Sequence, residues 1–177
     1  RETNLSFEQY ELVNSMNNSA TTLLDLIENV LDISKIEAGK LLITARPFDL
    51  HALVNSVRFM LAPMADSKGI SISCHITPEV PFSLNGDQLH IRQILINLIN
   101  NAIKFTDEGS VNLNISKVSG TEQKPRIRFV VKDTGIGIAK EAQQRIFENF
   151  TQADASSSRS FSGTGLGTTI SSDLVEL

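Results

Sequence analysis

The chain has 177 residues, of which 41% are hydrophobic and 20% charged, so it is globular, and with no Trp and few aromatics its core must come mainly from Leu and Ile. A net charge of −4 supplies no bulk attraction for nucleic acid or an anionic membrane, and neither is expected as a partner. The single cysteine, Cys74, excludes an intrachain disulfide and fits a reducing, cytoplasmic compartment, and no apolar run reaches the length of a membrane span. The N-terminus is not a signal peptide, so any membrane anchor is expected in segments outside this sequence.

In chain order, "LSFEQY" reads as a helix start, with Ser6 as cap, Gln9 completing a capping box and Leu5 placed to staple against Tyr10. Val13, Met16, Ala20, Leu23, Ile27 and Val30 then step by threes and fours, a heptad seam widened by Leu12, Leu24, Leu26 and Leu31. That stripe calls for a partner helix, as in a dimeric bundle. Gly39 ends the helix and "ITARPF" reads as an extended connector. Asp49 caps a second helix predicted to run to about Ala62, before Pro63. "ISISCHI" (70–76), "VNLNI" (111–115) and "RIRFVVK" (126–132) alternate as strands. Asp87 caps a helix that carries three asparagines and ends near Thr106, "AKEAQQRIFENF" reads as a shorter helix, and "TTISSDLVEL" as a last one. Long helices among strands without regular βαβ alternation predict an α+β sandwich, a mixed sheet with helices on one face.

Three segments carry chemistry. In "RQILINLINNAIKFTDEG" the apolar residues recur at helical spacing, yet Asn97, Asn100 and Asn101 interrupt them, although Asn is a mediocre helix former. Asn97, Asn101 and Lys104 fall within about 60° of one another, opposite the Leu and Ile positions. Amide oxygens suit Mg²⁺, which is usually shared with substrate phosphates, and Lys104 could meet a phosphate as a point charge. The alternative is an ordinary solvated helix face. In "VVKDTGIGIAKE" a strand leads to Asp133, Gly135 and Gly137; glycines let backbone approach a flat ligand, and a buried carboxylate there could accept from an exocyclic amine such as that of adenine. A plain turn is the alternative, against which stand the apolar Ile136 and Ile138. In "SGTGLGTT", Gly163, Thr164, Gly165, Leu166 and Gly167 form a loop opening into a helix, able to wrap phosphates at the helix N-terminus. It has neither P-loop spacing nor a preceding strand, and the Ser-rich run before it fits a surface lid.

Together and in this order these segments resemble the catalytic ATP-binding domain of sensor histidine kinases, within the GHKL (Bergerat-fold) ATPases. "NLINNAIKFT" is similar to the N box, "DTGIGI" to the first glycine box, "RIFENF" to the F box and "GTGLGTTI" to the second glycine box. "LLDLIENVLDISKIEAGKL" resembles the second helix of the dimerisation and phosphotransfer domain with its exit linker, and the wording of "FTQAD" and "GTGLGTTI" is nearest the hybrid kinases. The resemblance implies that residues 1–46 are that helix and linker and 47–177 the ATP-binding domain. It implies that Asn101 first and Asn97 second hold Mg²⁺ between the phosphates of ATP, that Lys104 contacts phosphate and that Phe105 lines the site. Asp133 would receive the adenine amino group, with Gly135, Gly137 and Ile138 shaping the pocket. Phe147 and Phe150 would pack at the base of the lid, whose Gly163, Thr164, Gly165, Leu166 and Gly167 close on the phosphates; Arg159 either reaches the γ-phosphate or is a solvated loop residue.

The same family transfers the γ-phosphoryl group to a histidine followed by an acidic residue. Here His51, His75 and His90 are followed by Ala52, Ile76 and Ile91, so all three read as structural or surface residues and the acceptor is expected outside this sequence. Family members continue past "LVEL" with closing strands, so the sequence is expected to be a fragment, and it contains no receiver domain. The resemblance therefore implies a histidine kinase core that dimerises through its N-terminal helix and passes phosphate to a response-regulator receiver. The alternatives are a nucleotide-binding or dimerising module without transfer, and a GHKL ATPase of the chaperone or mismatch-repair type, which explains the linker helix poorly.

Overall fold

The computed structural model describes residues 5–121, 124–143, 145–148 and 165–177; Phe150, Arg159, Gly163 and Thr164, together with the Ser-rich run, lie outside them. The chain divides into two compact units, Arg1–Leu41 and Leu42–Leu177.

The first unit is built on one helix, α1 (Phe7–Glu37), of about 46 Å at 1.5 Å per residue. Its start is the predicted capping box: Gln9 N–H donates to Ser6 Oγ at 3.3 Å, and Ser6 N–H donates back to Gln9 Oε1 at 2.9 Å. Gly39, at φ +62°, closes the other end. The heptad residues Val13, Met16, Leu23, Ile27 and Val30 are all exposed, as are Leu12, Leu24 and Leu31 on their flanks.

The second unit begins with β1 (Arg46–Asp49), α2 (Leu50–Ser67) and β2 (Ser71–Ile76), continues through β3 (Ser83–Gly86), α3 (Gln88–Lys104), β4 (Ser110–Gly120) and β5 (Pro125–Asp133), and closes with α4 (Gly167–Glu176). Strands β2, β4 and β5 form a mixed sheet in that order, β2 parallel to β4 and β4 antiparallel to β5. Strict alternation sends Ile72, Cys74 and Ile76, then Val111, Leu113 and Ile115, then Ile127, Phe129 and Val131 to one face. On that face they meet Leu50, Leu53, Val54, Val57 and Leu61 of α2 and Leu95, Ile99 and Ile103 of α3. The opposite face carries Ser73, His75, Asn114, Arg126, Arg128 and Lys132, all exposed. This is the expected sandwich, one layer of helices on a mixed sheet.

Three elements differ from expectation. The connector "ITARPF" gives β1 at its end, paired antiparallel with β3 from Arg46↔Gly86 to Asp49↔Ser83, a short ladder that anchors Phe48 in the core. Helix α2 does not stop at Ala62 but continues to Ser67 with Pro63 inside it. The hydrogen bond that Pro63 forgoes would have reached back to Phe59, and both residues are on the exposed side of α2, while Val57, Leu61 and Ala65 keep the buried stripe unbroken. The segment "AKEAQQRIFENF" is not an α-helix: its described residues form a turn closed by Gln143 N–H to Ala139 O (3.2 Å) and a 3₁₀ turn over Arg145–Phe147. None of the residues in that 3₁₀ turn is buried, and a short helix without a packed face is marginal.

Candidate functional site

The site is assembled around α3. Asp87 starts the helix, its Oδ1 accepting from Leu89 N–H (3.1 Å) and His90 N–H (3.2 Å). Its Oδ2 accepts from Thr44 N–H at 2.8 Å and lies 2.9 Å from His90 Nδ1. Burial alone would raise the Asp87 pKa, but these hydrogen bonds and the nearby imidazole outweigh it and hold the carboxyl below its ordinary 3.8. Beyond the cap, Leu95, Ile99, Ala102 and Ile103 are buried in the core, while Asn97, Asn101 and Lys104 form the half-buried face predicted for them and Asn100 is exposed.

Asn97 is held by α4. Its Nδ2 donates to Ser171 Oγ at 2.7 Å, and the Gly167 backbone lies so close that a Cβ there would sit 2.1 Å from Asn97 Oδ1. The second glycine segment therefore reaches the asparagine helix through a contact that only glycine permits. Helix α4 opens at Gly167 with no side-chain cap, so its first N–H groups and the positive end of its dipole stand beside α3, the arrangement that binds anions. Leu166 is fully buried just before it, Gly165 is half-buried at φ +69°, and the buried Thr169 hydroxyl has no hydrogen-bond partner among the described residues.

Lys104 ends the same face of α3, its Nζ 4.9 Å from the centroid of the Phe105 ring. Burial pushes its ammonium below the usual lysine range, a cost that an anion would relieve. Phe105 caps the helix, and its carbonyl accepts from Ile136 N–H at 3.2 Å, which ties the first glycine segment to the end of α3. Gly135 makes this possible: a Cβ there would lie 2.3 Å from Phe105 O, and its N–H donates to Asp133 Oδ1 at 2.9 Å. Gly137 follows at φ +70°. Asp133 itself, expected as a buried carboxylate, is exposed: the core-facing residues of β5 are only half-buried, and that cover ends at Val131, two residues before the strand does. Ile136 (63% exposed) and Ile138 (46%) are also open to solvent, as is Phe147 in the 3₁₀ turn (52%).

The sequence-predicted residues thus meet in three places along α3: Gly167 on Asn97, Lys104 on Phe105, and the D-x-G-x-G loop on the Phe105 carbonyl. Sequence reasoning missed Ser171, which carries no local signal, and Lys68, whose Nζ donates to the carbonyls of Ile103, Lys104 and Thr106 at the end of α3. None of the histidines takes part in these contacts: His51 stacks on Phe82 with ring centroids 4.1 Å apart, and His75 is exposed on β2. Among the described residues no cluster of three His, Cys, Asp or Glu side chains could hold a metal.

Residues 86–177, from the start of the asparagine helix through α4, match the family of histidine kinase-, DNA gyrase B-, and HSP90-like ATPases. The chain belongs to this family. The curated proteins it is similar to include sensory and signal-transduction histidine kinases. It is 47% identical over 175 residues to the sensory/regulatory protein RpfC of Xanthomonas campestris, covering 98% of this chain and 24% of that protein. Against the signal transduction histidine-protein kinase BarA of Escherichia coli it is 42% identical over 173 residues, covering 98% of this chain and 19% of BarA. The chain therefore spans about a quarter or less of these curated relatives. The crystal structure of full-length ShkA in complex with AMPPNP superposes with a TM-score of 0.80 at 36% identity, covering 98% of this chain and 35% of ShkA. As a GHKL ATPase the chain has the asparagine helix, both glycine segments and the turn before the second of them in the family's order. No helix among the described residues is long and apolar enough to cross a membrane.

Proposed function

We propose that this chain is the Mg²⁺·ATP-binding core of a cytoplasmic sensor histidine kinase, which transfers the γ-phosphoryl group to a histidine outside this sequence. The observation that carries the reading is the convergence on α3 of three segments far apart in sequence: the asparagines, the D-x-G-x-G loop and the uncapped N-terminus of α4. In this reading Asp133 accepts the adenine amino group, while Gly135, Gly137 and Ile138 shape the adenine pocket beside Phe105. The phosphates lie between Lys104 and the first N–H groups of α4, with Gly165, Leu166 and Gly167 beside them and Phe147 at the edge of the site.

Mg²⁺ would be held by Asn101, with Asn97 behind it. The donor set fits a hard cation that shares phosphate oxygens, since the side-chain amides of Asn97 and Asn101 offer hard oxygen donors on the half-buried face of α3. When bound, the ion neutralises phosphate charge; the chain's own residues hold and orient the nucleotide, which is where catalysis of phosphoryl transfer mostly lies. Asn97 has a second duty in this arrangement. Its Nδ2 is committed to Ser171, so it couples the metal position to α4. Residues 1–46 in this reading are the second helix and exit linker of a dimerisation and phosphotransfer bundle, which the exposed heptad stripe of α1 supports. A response-regulator receiver is the downstream partner.

Calorimetric titration with AMPPNP, with and without Mg²⁺, tests the binding reading. Binding that needs Mg²⁺ and is abolished both in Asp133→Asn and in Asn101→Ala is the expected result. A folded chain that takes up no nucleotide would refute it. Transfer is tested by adding a helix that carries a candidate acceptor histidine and following acid-labile phosphate; binding without transfer would instead favour a nucleotide-binding module.

A further inference from the structure

Four consecutive carbonyls close the C-terminal end of α3, those of Ile103, Lys104, Phe105 and Thr106, and a helix end leaves such groups without partners of its own. Three of them converge on one ammonium: Lys68 Nζ donates to Ile103 O at 3.0 Å, Lys104 O at 2.9 Å and Thr106 O at 2.9 Å. The Asp107 carboxylate stands 4.0 Å from the same nitrogen. The fourth, Phe105 O, receives Ile136 N–H from the D-x-G-x-G loop. Lys68 is placed for this by the end of α2, where Lys68 N–H and Ile70 N–H both bond to Ala65 O and Gly69 turns the chain at φ +69°. An ammonium has three donors and a compact charge, which suits three converging carbonyls at the negative end of a helix dipole; a planar guanidinium does not.

We infer that Lys68 is a positioning residue of the nucleotide site: by locking three of the four carbonyls it fixes the fourth, and so sets the distance between the asparagine helix and the D-x-G-x-G loop. Lys68 touches no nucleotide in this arrangement and acts through Phe105. The inference rests on the ATP-binding reading above, and goes beyond it by giving the end of α2 a share in ligand affinity.

The test compares wild type with Lys68→Met, Lys68→Arg and Asp49→Ala. The last removes the cap at the far end of α2, where Asp49 Oδ1 accepts from Ala52 N–H, and so lowers stability away from the site. AMPPNP affinity in Mg²⁺ is measured well below every melting temperature, and hydrogen exchange is followed at the Ile136 amide. Lys68→Met is expected to bind about tenfold more weakly and to speed Ile136 exchange, Lys68→Arg to recover stability but not affinity, and Asp49→Ala to bind as wild type does. Wild-type affinity in Lys68→Met, or an equal loss in Asp49→Ala, overturns the inference while leaving the ATP reading intact. A wild-type chain that does not bind overturns both. If Lys68→Met does not fold, Lys68→Arg decides: unchanged Ile136 exchange and affinity would mean that charge alone suffices and that Lys68 positions nothing.

Discussion

The contact between Gly167 and Asn97 gives the sharpest quantitative expectation. A methyl group at Gly167 would stand 2.1 Å from Asn97 Oδ1, 2.7 Å from Cγ and 2.9 Å from Nδ2, all closer than any real Cβ contact. The amide can retreat only by giving up its 2.7 Å bond to Ser171, a loss of about 1 kcal/mol; otherwise α4 must lift and loosen Ile170 and Leu174 from their buried positions. Overpacking of this kind costs roughly 1–3 kcal/mol, offset by at most about 1 kcal/mol from the better helix propensity of Ala. Gly167→Ala should therefore destabilise by about 1–2 kcal/mol, a fall in melting temperature of roughly 2–8 °C. The assay is urea unfolding followed by circular dichroism for Gly167→Ala, Asn97→Ala and the double variant. Since Asn97→Ala vacates the space that the new methyl needs, the double variant should lose less than the sum of the singles, by about 1 kcal/mol. Strict additivity, or a Gly167→Ala protein as stable as wild type, would refute the close approach.

Gly135→Ala meets backbone rather than a side chain, 2.3 Å from Phe105 O, so it should break the Ile136–Phe105 hydrogen bond and abolish nucleotide binding; retained binding in calorimetry would count against the loop geometry. Lys104→Met should separate stability from binding. Burial lowers the native pKa of Lys104 below 10.5, so the native state sheds this proton first and stability rises with pH between that lowered value and 10.5. The variant should lose that rise, hold near wild-type stability at pH 7 and bind nucleotide about tenfold more weakly, as expected for one charged hydrogen bond. Asp87→Ala should cost about 0.5–2 kcal/mol as a lost cap. The native pKa of Asp87 lies below 3.8, so its contribution is complete above that value and is lost as pH falls through the native one; acid unfolding of the variant should be flatter there.

Much of this protein was legible in the order of its residues. The caps at Ser6, Asp49 and Asp87 are local chemistry, a side-chain oxygen two or three residues before the N–H it receives, and each is found where the sequence places it. The alternation of β2, β4 and β5 and the 3.6-residue period of α3 follow from which side chains must leave water, and they divided Asn97, Asn101 and Lys104 from the core before any tertiary contact was known. What the sequence could not decide were choices between partners distant along the chain. The ladder of β1 and β3 is four residues long and joins Arg46 to Gly86, too short to announce itself without its mate. Helix α2 passes Pro63 because the core on its other side continues, and Asp133 is exposed because the half-burial of β5 ends at Val131. Asn97 bonds to Ser171, and Lys68 gathers three carbonyls some 35 residues away in sequence, because the fold brings those groups together after local preference has been satisfied. Periodicity and capping act within a few residues and can be read from the string of letters; the pairing of polar groups across elements depends on where the core sets the helices, and only the tertiary structure fixes that.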